Sequence, residues 1–281
     1  MSAVPNTFDA MKAFKTGAWT STDRARSYDA STNSKTDFTS FLTDEYIGQL
    51  TRRIAPRSRV LDLGCGTGVL IKSLAALGFD AYGVDISQAM LDKIQPESEG
   101  DRITLQQGDV YALPYADASF AGVTTRWVIP HFRDWPVIVK EAARVLQPGG
   151  TLVFDHTSRS NYELATRNGV LEHAKFGYDN RVHGGDKTMF YASASIDELQ
   201  LAADAAGLDL VDVAPLGFFR QNAVIASVLG GDGFLDYKAS FDAFYRDPGA
   251  RAFIQWFEQH VTAALPFDMT NGMAVVMQKR G

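Results

Sequence analysis

The sequence is poor in several things, and each scarcity excludes something. It has one cysteine, Cys65, so a disulfide within the chain and a thiolate metal cluster are both impossible. It has no extended run of Lys and Arg. With 27 basic against 33 acidic residues the net charge is −6, which argues against a groove that tracks the phosphates of DNA or RNA. No apolar run approaches the length of a membrane span, and Met1 to Asn6 lacks the charged region and apolar core of a secretory leader, which points to the cytoplasm. Two phosphate-binding signatures are missing as well. No Lys follows the glycines of residues 64–68, as a phosphate loop requires, and the third glycine of a dinucleotide fingerprint comes one residue too early, at Gly68.

What is present centres on Val60 to Gly68, which reads Val-Leu-Asp-Leu-Gly-Cys-Gly-Thr-Gly. Val60, Leu61 and Leu63 have the character of a strand buried on both faces, and Gly64, Gly66 and Gly68 break it at once. Val69, Leu70, Leu74 and Leu77 then recur at helical spacing, so the turn feeds a helix whose first N–H groups are unpaired. Strand, glycine turn and helix make a site for a nucleotide-like ligand. Asp62 at the strand tip would repel a phosphate but suits an ammonium group, so the ligand is cationic at this end. Cys65 is either a reactive thiol or the small residue such a turn needs.

Here the chain resembles the class I S-adenosylmethionine-dependent methyltransferases, whose first motif reads much like Val60 to Gly68. Three further motifs follow in the expected order, extending the resemblance to about Asp155: Ala81-Tyr82-Gly83-Val84-Asp85 with Ile86-Ser87; Gln107-Gly108-Asp109-Val110 with Leu113-Pro114-Tyr115; and Glu141 to Gly150 before the strand Thr151 to Asp155. The pattern is similar to the small-molecule branch, which includes quinone-biosynthesis and sugar-modifying methyltransferases. The resemblance implies a Rossmann-like α/β fold, a seven-stranded sheet of order 3-2-1-4-5-7-6 with its last strand antiparallel and helices on both faces. It implies S-adenosylmethionine as cofactor and S-adenosylhomocysteine as product. Enzymes that methylate base amines resemble one another in a Pro-Pro-aromatic motif after the fourth strand; here that place reads Thr125 to Pro130 without it. Arsenic-methylating relatives need several thiols, so that substrate is excluded too. One departure is Ala121, where relatives commonly carry Asp.

The cofactor residues implied are Asp62, Gly64, Cys65, Gly66 and Gly68 in the turn, Asp85, Ile86 and Met90 after the second strand, and Asp109, Val110, Thr125 and Arg126 beyond the third and fourth. Asp85 lies about twenty residues past the turn, the spacing of a ribose-binding acid. Asp109 suits the adenine amino group, or is a turn carboxylate. Tyr28 in the polar segment 1–36 resembles a cofactor cover, equally readable as a surface segment anchored by its aromatics.

The loop from Arg126 to Asp134 lies where open α/β sheets bind ligands. The sulfonium carries an activated methyl, so the enzyme must align a nucleophile, exclude water and, for a hydroxyl, remove a proton. His131 and His156 are the candidate bases; His131 reads equally as a helix cap or a backbone-bonded loop residue. Arg126 is read either as a clamp for a substrate carboxylate or phosphate or as the partner of a nearby Asp. Trp127 is a candidate substrate contact. So are Tyr178, Arg181 and His183, in a connection over 158–194 too aromatic and cationic for a linker. A second insertion, 218–270, separates the last two strands with an aromatic stripe that is core, homodimer contact or substrate pocket. With 281 residues, 46% hydrophobic and 21% charged, the chain suits one methyltransferase domain, 1–281, with both insertions capping the site.

The function expected is methyl transfer to a small molecule, with a hydroxyl oxygen favoured over nitrogen or carbon. Two alternatives stand beside it. One is a nucleotide-cofactor dehydrogenase, opposed by the glycine spacing. The other is a non-catalytic member that binds the cofactor and acts through partner contacts.

Overall fold

The computed structural model describes residues 17, 19–20, 37–95, 102–132, 134–160, 192–219, 223–266, 269–270 and 272–281. Helix α1 (Asp37–Thr51) comes first, followed by β1 (Arg59–Leu63), α2 (Val69–Ala76), β2 (Asp80–Asp85), the single turn α3 (Gln88–Leu91) and β3 (Ile103–Gln107). Then come β4 (Phe120–Thr125), a 3-10 turn at Ile129–His131, α4 (Trp135–Val145) and β5 (Leu146–Ser158). The remainder is β6 (Ser193–Ala194), α5 (Ile196–Ala205), β7 (Leu208–Leu216), α6 (Ala223–Phe244), α7 (Pro248–His260), a 3-10 turn at Thr262–Ala264 and β8 (Gly272–Lys279).

The sheet runs β3-β2-β1-β4-β5-β8-β7, parallel except for β8, which pairs antiparallel with both β5 and β7. The two-residue β6 stands off this path, parallel to the end of β5. With β6 set aside the order is the 3-2-1-4-5-7-6 that the motifs imply. Strand β1 fits its apolar sequence, since Val60, Leu61 and Leu63 are fully buried. Each such side chain contributes about 1.5–3 kcal/mol by leaving water. One core layer packs α4 and α5 against β4 and β5; a second packs α1 and α2 against the opposite face.

Several boundaries differ from the sequence reading, with local reasons. Pro148-Gly149-Gly150 reads as a helix stop before a strand at Thr151. In the structure β5 already begins at Leu146, paired with Phe120; the register then slips, Gly149 takes a φ of 75°, and pairing resumes at Thr151 opposite Gly122. A glycine tolerates that left-handed backbone without strain. Helix α5 is capped at Ser195, whose side chain accepts from the Glu198 N–H while Glu198 reaches back to the Ser195 N–H.

Tyr46 fastens α1 to the sheet. Its hydroxyl lies 2.5 Å from the Thr125 carbonyl, at the carboxyl end of β4, and 2.9 Å from the Val153 carbonyl on the neighbouring β5. The second insertion packs on the same helix: Phe241, Tyr245 and Ile254 meet Phe38, Phe41 and Leu42. Phe244, Phe253 and Trp256 point outward, each about half exposed. Among the described residues no helix is long and apolar enough to cross a membrane.

Candidate functional site

The carboxyl ends of the parallel strands converge on a cleft enclosing about 780 Å³ of space open to solvent on one side. The glycine turn forms its floor. Gly64, Gly66 and Gly68 all have positive φ, at 63°, 54° and 94°, a region that L side chains enter only with strain. Space forbids a side chain as well: a Cβ on Gly64 would sit 2.6 Å from Val128 Cγ2, and one on Gly68 2.9 Å from Ile94 Cγ1. Gly64 and Gly66 line the cleft, whereas Gly68 shapes the turn from behind.

Asp85 closes β2 and faces this turn. Its Oδ2 accepts the Gly66 N–H at 2.9 Å and its Oδ1 the Ser87 N–H at 2.8 Å. Burial pushes its carboxyl above the usual range, against the pull of these N–H groups. Ile86, Met90, Asp109 and Val110 line the same cleft, and Asp109 Oδ1 accepts the Tyr111 N–H at 3.0 Å in a tight turn. The five positions from Asp85 to Val110 expected around a nucleoside are thus brought together.

On the other side of the turn lies a smaller cavity, about 360 Å³ with the solvent space at its mouth included, bordered by Asp62, Gly64, Cys65, Thr67, Val69, Leu70, Arg126 and Trp127. Gly64, Arg126 and Trp127 border both spaces. Asp62 is buried, and desolvation together with the like charge of Asp85 raises its carboxyl well above the ordinary value. A buried acid in that condition is stabilised by an incoming cation. The Thr67 hydroxyl is also buried, with no hydrogen-bond partner. The buried Asp62 carboxyl, the unpartnered Thr67 hydroxyl and the left-handed glycine cradle fit a cationic, amino-acid-bearing nucleoside.

Cys65 is buried, its thiol pushed up by desolvation and by Asp62 and Asp85, which favours the small-residue reading over a reactive thiolate. Its sulfur occupies the space that a Cβ on Gly83 would need, 2.8 Å away.

The loop after β4 supplies the remaining walls. Trp127 has a φ of 59°, a backbone conformation that costs a bulky residue about 1–3 kcal/mol unless its surroundings fix it. Its N–H donates to Asp155 Oδ1 at 2.7 Å. The Arg126 guanidinium lies 4.5 Å over the Trp127 ring and donates to the Thr43 hydroxyl on α1. His131 is buried in the cleft wall, edge-on to Trp19 with ring centroids 5.5 Å apart.

Other expected residues lie elsewhere. His156 does not border the cleft: it is buried edge-on against Trp135 at 4.9 Å, Nδ1 accepts the Thr157 N–H at 2.8 Å, and Nε2 has no partner. Desolvation and the Arg159 charge push it down to about 3, so it is neutral and sealed off. The Thr125 side chain is fully buried outside both cavities. Tyr28, Tyr178, Arg181 and His183 lie outside the described residues. The ends of the first insertion are described. Arg159 binds Ser193 and Glu198, and the Ala192 N–H donates to the Pro130 carbonyl at 2.5 Å, so the insertion is rooted beside His131.

The sequence reading missed Trp19, Tyr111, Val128 and Phe132 in the cleft wall, and Asp155. Tyr111 carries a readable signal, an aromatic directly after the Gly-Asp-Val motif. Its hydroxyl donates to Asp134 Oδ1 at 2.7 Å, and Asp134 makes no side-chain cap to α4. Among the described residues no cluster of His, Cys, Asp and Glu could hold a metal ion.

Comparison with known proteins agrees with this geometry. Residues 61–154 match the family described as a methyltransferase domain. The chain is 35% identical over 116 residues to a demethylmenaquinone methyltransferase of Symbiobacterium thermophilum, covering 39% of this chain and 45% of that protein. It is 27% identical over 202 residues to a ubiquinone biosynthesis O-methyltransferase of Azorhizobium caulinodans, covering 70% and 78%. In the first relatives matched, the chain spans under half of their length. Among solved structures, a chain from the Haloferax volcanii complex of the Trm112 methyltransferase activator with a methyltransferase superposes with a TM-score of 0.60 at 16% identity. That match covers 92% of this chain and 97% of the other. Residues 61–154 are thus similar to a methyltransferase domain, and the chain has the fold of solved S-adenosylmethionine-dependent methyltransferases.

Proposed function

We propose that the chain moves a methyl group from S-adenosylmethionine to a small-molecule acceptor, with a hydroxyl oxygen as the favoured acceptor. One observation carries this reading: two cavities of different character meet at Gly64, Arg126 and Trp127. The larger offers Asp85, Ile86, Met90, Asp109 and Val110 to a nucleoside; the smaller offers Asp62 to an ammonium group. The bound cofactor supplies a methyl already activated on its sulfonium.

The protein's own residues then have three tasks. Asp85 binds and orients the ribose hydroxyls through a carboxylate held by two N–H groups. Trp127, Val128 and Phe132 exclude water from the part of the cleft beyond the nucleoside. His131 takes the proton of an acceptor hydroxyl at one of its ring nitrogens. The first insertion, whose described ends at Arg159 and Ala192 lie beside His131, supplies acceptor contacts through Tyr178, Arg181 and His183. Tyr28 in the segment 1–36 is assigned a contact with the cofactor. The apolar rings of the wall suit a flat or hydrophobic acceptor, which the quinone-pathway relatives support.

The test is transfer of isotope-labelled methyl from S-adenosylmethionine into a metabolite extract, read by mass spectrometry, with Asp85→Ala as control. A labelled small molecule that disappears in the control supports the proposal, and fragmentation identifies the methylated atom. Absence of product despite S-adenosylhomocysteine binding overturns the catalytic reading in favour of a cofactor-dependent binding protein.

A further inference from the structure

The proposed activity leaves one bond without a role. Asp155 lies at the carboxyl end of β5, where alternate residues face opposite layers, so it follows Val153 toward α1 while His156 follows Phe154 toward α4. Its carboxylate reaches the N–H of Trp127, 28 residues earlier in the chain, at 2.7 Å. That residue is a tryptophan in left-handed backbone, a conformation that its own side chain opposes. The groups around Asp155 are the Arg126 guanidinium from the loop after β4 and the Tyr46 phenol from α1, while β8 presents Ala274 opposite it. Burial pushes the carboxyl up to about 6, so near neutral pH it is ionised and its bond to the N–H is charge-assisted.

The consequence reaches both cavities. Relaxing residue 127 to an ordinary backbone would re-aim the indole, and with it the Arg126 guanidinium stacked on it at 4.5 Å. We infer that Asp155 is a positioning residue that holds residue 127 in the left-handed conformation and thereby fixes the indole–guanidinium wall between the two cavities. This rests on the proposed function in so far as that wall stands where cofactor and acceptor would meet.

Two independent measurements test it. The first uses no ligand: amide hydrogen exchange at Trp127 in the full chain. Asp155→Ala accelerates it roughly tenfold or more, the effect expected from losing one charge-assisted bond, while the amides of β1 stay protected. Asp155→Asn keeps an acceptor oxygen and restores most of the protection. Unchanged exchange at Trp127 in Asp155→Ala overturns the inference, as does equal acceleration throughout β1, which would mean general loss of structure.

The second readout is the dissociation constant of S-adenosylhomocysteine by calorimetry. Asp155→Ala raises it about tenfold in the native background. In a Trp127→Gly background, where glycine adopts the left-handed backbone freely, Asp155→Ala adds little. Equal losses in both backgrounds mean that the carboxylate acts on the ligand directly, and they overturn the inference. A wild-type chain with no affinity for S-adenosylhomocysteine sinks the methyltransferase reading instead, and amide exchange then decides this inference alone.

Discussion

The backbone N–H of Gly66 donates to Asp85 Oδ2 at 2.9 Å, so the carboxylate that ends β2 holds the turn that ends β1. Two adjacent parallel strands are thereby locked at the point where they face the cleft. The proposed function assigns the ribose hydroxyls to this same carboxylate.

Replacing Asp85 removes a turn restraint and, under the proposed function, a ligand contact. Asp85→Ala weakens S-adenosylhomocysteine binding by about 100-fold or more, the loss of two charge-assisted bonds. Its far-UV circular dichroism stays that of the wild type. Calorimetry showing unchanged affinity would remove Asp85 from the site.

Gly68 reports on the turn alone, since it does not border the larger cleft. Gly68→Ala combines a φ of 94° with a 2.9 Å approach to Ile94, and it destabilises the protein by about 1–3 kcal/mol. Urea denaturation measures this, and an unshifted midpoint would mean that the backbone there relaxes at no cost.

The two histidines separate in activity. His131→Ala lowers kcat by about 10²–10⁴-fold on a hydroxyl acceptor, the usual share of a general base. His156→Phe, in a pocket already lined by Trp135 and Phe154, leaves turnover near that of the wild type. The reverse ranking in a steady-state assay would exchange their roles.

His156 has instead a signature in stability against pH. Its unfolded value is near 6.5 and its folded value about 3, so between these the unfolded chain binds a proton that the native one does not. Its contribution is whole above pH 6.5 and is lost as pH falls toward 3, reaching about 2 kcal/mol at pH 5. Chemical denaturation from pH 7 to 4 shows a flatter profile for His156→Phe than for the wild type.

Glu258 on α7 fastens the second insertion. Its buried carboxyl accepts the Phe218 and Phe219 N–H groups at 3.4 and 3.5 Å, just where the chain leaves β7. Glu258→Ala leaves both donors unmet and costs roughly 1–3 kcal/mol. Hydrogen exchange rises at residues 217–219 and along α7 while β1 and β4 stay protected.

What could be read from the sequence was local. The glycine turn was legible because each glycine answers a positive φ, and Asp85 because the strand–turn–helix–strand unit has a fixed length. What escaped depends on partners far along the chain. Asp155 finds Trp127 only because β4 and β5 are neighbours. His156 was misjudged for a related reason: position at a strand's carboxyl end suggested the cleft, whereas alternation after Leu152 and Phe154 turned it into the α4 layer. The kink at Gly149 was hidden because Pro-Gly-Gly signals a break without saying whether a helix or a strand is broken.

The position of β8 also imposes a schedule. It is the strand that joins β5 to β7, yet it follows β7 only after the stretch from Gly217 to Asn271. At a ribosomal pace of about 5–20 residues per second, roughly three to eleven seconds pass between the emergence of β7 and that of its neighbour. Throughout that interval the edge of β5 carrying Leu152, Val153 and Phe154 has no strand beside it, and an open apolar edge is what another nascent chain would pair with. The helices of the insertion emerge during that wait, so a chaperone requirement in production would fall on this half of the sheet.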